Sequence, residues 1–135
     1  MRRTCSVRSA AAPDEVWRLM ARPAEWSTWA PHVRGAWGLG DPEVEVGRRG
    51  AARLLGALPV PARIDAVDPG RSWTWSVGPV RLEHSVDPAD ADGEVDGVRR
   101  RSVVTMTVEA PAPIAATYAP VVAFFTHRLA RVAER

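Results

Sequence analysis

A chain of 135 residues, 46% hydrophobic and 25% charged, is long enough to bury a core without disulfide or metal staples, and residues 1–135 are read as one domain. Its 18 basic and 16 acidic residues leave a formal charge of only +2, and the densest basic run, Arg99 to Arg101, would split between the two faces of a strand, so no nucleic-acid partner is expected. No apolar run reaches the roughly 18–20 residues of a membrane span, the start lacks the apolar stretch of a signal peptide, and Cys5 is the lone cysteine; a cytoplasmic protein without stable membrane insertion is expected.

Residues 3–9, RTCSVRS, alternate with Cys5 and Val7 on one side and predict a first strand. Pro13 then suits a first helical position, Asp14 and Glu15 complement the positive helix end, and Val16, Trp17, Leu19 and Met20 form a buried stripe that Pro23 closes. A second short helix, AEWSTWA, places Trp26 and Trp29 three residues apart on one face before Pro31 stops it. Four of the six tryptophans thus fall between residues 15 and 37.

From His32 the period becomes two, which puts Val33, Gly35, Trp37 and Leu39 on one side of a strand. Further strands are predicted at about 47–56, 60–68, 71–78, 80–87 and 98–109, joined by short turns into an antiparallel meander. Their inward faces carry Trp73, Trp75 and Val77, then Val80, Leu82, His84 and Val86, then Ser102, Val104, Met106 and Val108. A sheet with one apolar face needs a cover. Residues 113–135 supply it, with Ile114, Tyr118, Val121, Phe125 and Val132 at helical spacing and Arg128, Arg131 and Arg135 at the favourable end; Pro120 is expected to kink or divide this helix.

The motifs AAPDEVWRLMARPAEWSTWAPHV at 10–33, IDAVDPGRSWTWSV at 64–77, EHSVDPADADGEVDGVRRRSVVT at 83–105 and the closing RLARVAE resemble the polyketide cyclase/dehydrase and lipid-transport branch of the START-like (SRPBCC, Bet v 1-like) superfamily. The resemblance spans almost the whole chain. It implies an α+β helix-grip fold, in which a curved antiparallel sheet of about six or seven strands surrounds a long C-terminal helix after two short helices. It also implies an apolar cavity between sheet and helix for a lipid, polyketide or quinone-like molecule, and it carries over no catalytic motif.

The residues expected to line that cavity are Trp29, Trp37, Trp73, Trp75, His84, Arg100, Met106, Tyr118, Val121 and Phe125. A wall of indoles offers flat apolar surface to fused rings, although the same rings would also fill a small core. His84 reads either as a core imidazole bonded to a neighbour or as a group that meets a ligand carbonyl or moves a proton. If His84, Tyr118 and Arg100 converge, a polyketide aromatase/cyclase becomes the alternative to a simple binder of a hydrophobic small molecule; a third reading is a quinone-binding or protein-interaction module without chemistry. DGEVDG at 92–97 imitates the start of a calcium loop, but its twelfth position is Val103, and the three histidines show no ligand spacing, so no metal and no cofactor are expected. The chain is expected to act as a monomer or homodimer.

Overall fold

Apolar alternation in the middle of the chain is realised as a seven-stranded antiparallel sheet, seen in a computed structural model that describes residues 1–31, 33–54, 58–89, 94–95, 98–99 and 101–135. Its strands are β1 (Arg2–Ser9), β2 (Val33–Trp37), β3 (Arg49–Leu54), β4 (Leu58–Asp68), β5 (Ser72–Val77), β6 (Val80–Pro88) and β9 (Ser102–Glu109), in the spatial order β1-β9-β6-β5-β4-β3-β2. Glu94–Val95 (β7) and Val98–Arg99 (β8) form a separate two-stranded hairpin, so the single strand expected over 98–109 is broken before Ser102. The break falls where the main sheet ends: Arg101 N donates to Ser9 O and Ala89 N to Arg101 O, which closes off the strands flanking β9.

Helices α1 (Pro13–Ala21) and α2 (Trp26–Trp29), joined through a 3-10 turn at Pro23–Glu25, follow β1, and α3 (Ala112–Ala133) ends the chain. This is the helix-grip arrangement. Helix α3 lies against β1 and β9 and touches α1 and α2. Ser9 Oγ donates to Ala130 O at 2.9 Å and Ser102 Oγ to Ala11 O at 2.6 Å, so two buried hydroxyls fasten the sheet to α3 and to the segment leading into α1 at this end.

Two expectations about α3 are corrected. Pro120 does not divide it: the helix runs on through the proline, whose exposed ring meets solvent and whose missing N–H leaves the Ala116 carbonyl without that bond. The buried stripe is also turned from the one expected. Ala115, Val122, Phe125 and Leu129 are buried, whereas Ile114 is exposed and Val121 and Val132 are only partly buried. Because this helix is apolar on nearly every side from Ala112 to Phe125, its hydrophobic pattern does not fix its rotation.

What orients the first two helices is a set of indole hydrogen bonds at the end of α1. The last carbonyls of a helix have no N–H ahead of them within the helix. Here Trp29 Nε1 donates to Leu19 O at 2.9 Å, and Met20 O accepts from both Trp26 Nε1 at 2.9 Å and Trp73 Nε1 at 3.0 Å. The Val44 amide completes the set by donating to Ala21 O at 3.0 Å. Tryptophans from α2 and β5 thereby cap α1 while burying their rings in the core.

Because Met20 O keeps one donor when either indole is removed, Trp26→Phe and Trp73→Phe should couple. In a double-mutant cycle by urea denaturation, the double variant is expected to lose about 1 kcal/mol more stability than the two single losses combined, as the last donor to a buried carbonyl disappears. An additive or smaller loss would contradict the capping role.

Candidate functional site

The sheet face beneath α2 and the middle of α3 carries a stack of aromatic rings. Trp73 and His84 oppose each other on β5 and β6, with ring centroids 3.9 Å apart and planes 11° from parallel. Trp26 stacks on the Trp73 indole at 5.2 Å and 6°. Trp75 meets Trp26 edge-on at 5.1 Å and Trp73 edge-on at 5.6 Å, and Trp29 stands edge-on to His84 at 6.5 Å. Offset and edge contacts of this kind let quadrupolar rings pack without repulsion.

These rings fill most of the space between sheet and helix. What remains is an inner void of about 30 Å³, bordered by Trp29, Trp73, Trp75, His84, Met106, Tyr118 and Phe125 together with Trp26, Ala30, Val33, Leu82 and Val122. It is room for one or two water-sized groups, far below the roughly 300–1,000 Å³ of small-molecule sites. The open cavity implied by the family resemblance is therefore mostly occupied by indoles. Beside it, toward the turn between β5 and β6, lies an outer recess of about 140 Å³ that adds Val60, Val77, Pro79 and Val80, and that shares Trp75, Leu82 and Tyr118 with the inner void.

Several of the expected lining residues fall elsewhere. Trp37 is 48% exposed. A register shift between Val33 and Gly35 inserts one residue into β2, which reverses the in-out alternation after it; Ala36 packs on the core where Trp37 was expected. Trp37 instead borders a separate surface groove of about 470 Å³ with Pro23, Ser27, Asp41 and Pro42. Val121 packs partly against the core while its neighbour Val122 borders the void, a consequence of the rotation of α3. Arg100 and the start of the DGEVDG segment lie outside the described residues. Trp26 borders the void although it was not singled out; its spacing of three from Trp29 was the available signal.

The polar groups facing this space are neutral at ordinary pH. Burial pushes the His84 imidazole down to about 3, against a weaker opposing effect of its bond to the Trp73 carbonyl. In that 3.4 Å contact with Trp73 O the carbonyl accepts, so Nδ1 carries the proton and Nε2 presents a lone pair. Burial raises the Tyr118 phenol above its usual range, which keeps it protonated. Four of the indoles have settled N–H partners: Trp26, Trp29 and Trp73 at the end of α1, and Trp17 on Glu43 Oε2 at 3.2 Å. Among the described residues no group of three or more His, Cys, Asp or Glu side chains converges as metal ligands, and no helix is long and apolar enough to cross a membrane.

The family model for polyketide cyclase / dehydrase and lipid transport proteins matches residues 2–135. The chain belongs to this family. No protein of curated function matches it in sequence. Among solved structures, a Mesorhizobium loti protein superposes with a TM-score of 0.75 at 12% identity, covering 98% of this chain and 96% of that one. The Aha1 dimer from Colwellia psychrerythraea gives 0.75 at 12%, covering 99% and 96%, and a Bacillus halodurans protein gives 0.75 at 11%, covering 99% and 97%. At such identities these likenesses establish the shared fold of this polyketide cyclase/dehydrase family member and leave its ligand to the site itself.

The buried imidazole makes stability depend on pH. His84 binds a proton in the unfolded chain near its usual value of 6.5 but in the native state only near 3, so unfolding takes up a proton between those values and stability falls as pH drops through that window. Relative to His84→Leu, the native protein should lose about 2 kcal/mol more between pH 6.5 and 4.5 in chemical denaturation. Parallel pH profiles would show that the imidazole is not held neutral.

Proposed function

We propose that the protein binds a small, flat hydrophobic molecule between the first half of α3 and the β5–β6 hairpin, with one ring seated in the outer recess. The observation that carries this reading is the apolar recess of about 140 Å³ formed by Val60, Trp75, Val77, Val80, Leu82 and Tyr118, next to a void walled by indoles. An apolar cavity of about 150 Å³ holds a benzene-sized molecule, so the recess matches a single ring. The family's description as polyketide cyclases and lipid carriers agrees with a hydrophobic ligand.

A second reading, an aromatase/cyclase, draws on His84 and Tyr118 bordering the same void, which brings two polar groups to one space. The neutral states of both groups favour hydrogen bonding over proton transfer: an imidazole whose proton affinity is pushed down to about 3 is a weak base, and a phenol raised by burial is a weak acid. Binding therefore stands first. It needs only one copy of the chain.

Titration with acetophenone, menadione and decanoate, followed by tryptophan fluorescence, tests the reading. Saturable quenching by the one-ring ketone is expected, with a dissociation constant on the order of 10–100 μM for so few ligand atoms. Absence of a saturable response to all three would overturn it.

A further inference from the structure

The inner void and the outer recess are adjacent, and the residues common to both are Trp75, Leu82 and Tyr118. A side chain that borders two spaces stands between them. Of the five buried indoles, four are tethered by their N–H groups, to Glu43 and to the carbonyls of Leu19 and Met20. Trp75 has no such tether among the described residues, and it meets Trp26 and Trp73 only through edge-on ring contacts. Among the described residues, the buried indole without a hydrogen bond is thus one that borders both spaces.

The other side of this partition has a matching feature. Tyr118 makes no hydrogen bond among the described residues, and neither its hydroxyl nor the Trp75 N–H is enclosed as a buried, unpartnered atom, so both reach accessible space. Tyr118 also sits within the turn of α3 that Pro120 deprives of a hydrogen bond, since proline has no N–H for the Ala116 carbonyl. Behind the partition the wall is fixed: Trp26, Trp29 and Trp73 are held by α1, and His84 is stacked on Trp73 and bonded to its carbonyl.

We infer that Trp75 and Tyr118 form a movable partition that sets the size of ligand the protein admits: closed, it leaves a recess for one ring; displaced, it joins recess and void into a slot for a fused two-ring ketone. In that slot the indole N–H and the phenol O–H, both donors without a protein acceptor, meet the ligand's carbonyl oxygen, while the rings lie along Trp73 and His84. This deepens the recess-binding reading and rests on it. It names Trp75 as the residue that decides ligand size, and fused-ring ketones as the class for which the partition must open.

Stopped-flow fluorescence with two probes, acetophenone and 1-tetralone, separates the two ideas. The unmodified protein is expected to bind acetophenone rapidly and 1-tetralone at least tenfold more slowly, because only the larger probe waits for the partition. Trp75→Ala, followed by the remaining indoles, should abolish that difference by speeding 1-tetralone at least tenfold. Tyr118→Ala acts on the other side of the partition and should speed 1-tetralone in the same direction; it carries the test if Trp75→Ala fails to fold by circular dichroism. Equal rates for 1-tetralone in the native protein and the folded variants would overturn the partition while the recess survives. No saturable acetophenone binding in the native protein would overturn the recess, and the partition with it.

Discussion

Three indole N–H groups donating to the last carbonyls of α1 are the contacts on which the rest of this interior depends. A helix that ends inside a core leaves carbonyls that must find donors or pay for desolvation without one, on the order of 1–3 kcal/mol each. The Leu19 and Met20 carbonyls are bonded in the buried interior, where the space around them must also be filled. Tryptophan resolves both demands at once, since its ring supplies apolar volume and its single N–H reaches a carbonyl. Trp26 and Trp29 come from the next helix and Trp73 from the middle of the sheet, so α1, α2 and β5 are fixed together through one helix end.

That arrangement also determines the character of the site. With Trp73 held by Met20 O, His84 is stacked on a stationary indole, bonded to its carbonyl and dehydrated, which keeps the imidazole uncharged. The interior is left with about 30 Å³, and the larger recess opens only where the indole wall ends at Trp75 and Tyr118. On the proposed reading, such a space recognises by shape and by one or two neutral hydrogen bonds. Membership of the polyketide cyclase/dehydrase and lipid transport family is compatible with a cavity of this type and does not by itself require turnover.

Much of this was legible in the residues. Period-two alternation in RSWTWSV and VRLEHSV put Trp73, Trp75, Leu82 and His84 on the inward face, where they are found, and the apolar closing segment with arginines at its end read correctly as the helix that covers the sheet. The misplacements each have a local cause. One extra residue at the Val33/Gly35 register shift leaves no trace in composition, yet it sends Trp37 outward. The stripe on α3 was mistaken because Ala115 and Val122 bury small or flanking positions while the bulkier Ile114 faces solvent; in a helix apolar all round, size does not report burial. Pro120 was expected to kink or divide the helix, and the division does not occur. Cavity volume was illegible altogether: the same tryptophans could border a space or fill it, and which occurs depends on where their N–H groups are anchored.

The central claim is that anchoring divides the indoles into a held set and a free one. Hydrogen exchange of the indole N–H protons, resolved residue by residue by nuclear magnetic resonance, measures this directly. The protons of Trp26, Trp29 and Trp73 should exchange only as fast as the whole protein unfolds, and those of Trp75 and the exposed Trp37 many orders of magnitude faster. Rapid exchange at Trp26, Trp29 and Trp73, matching Trp37, would contradict the account.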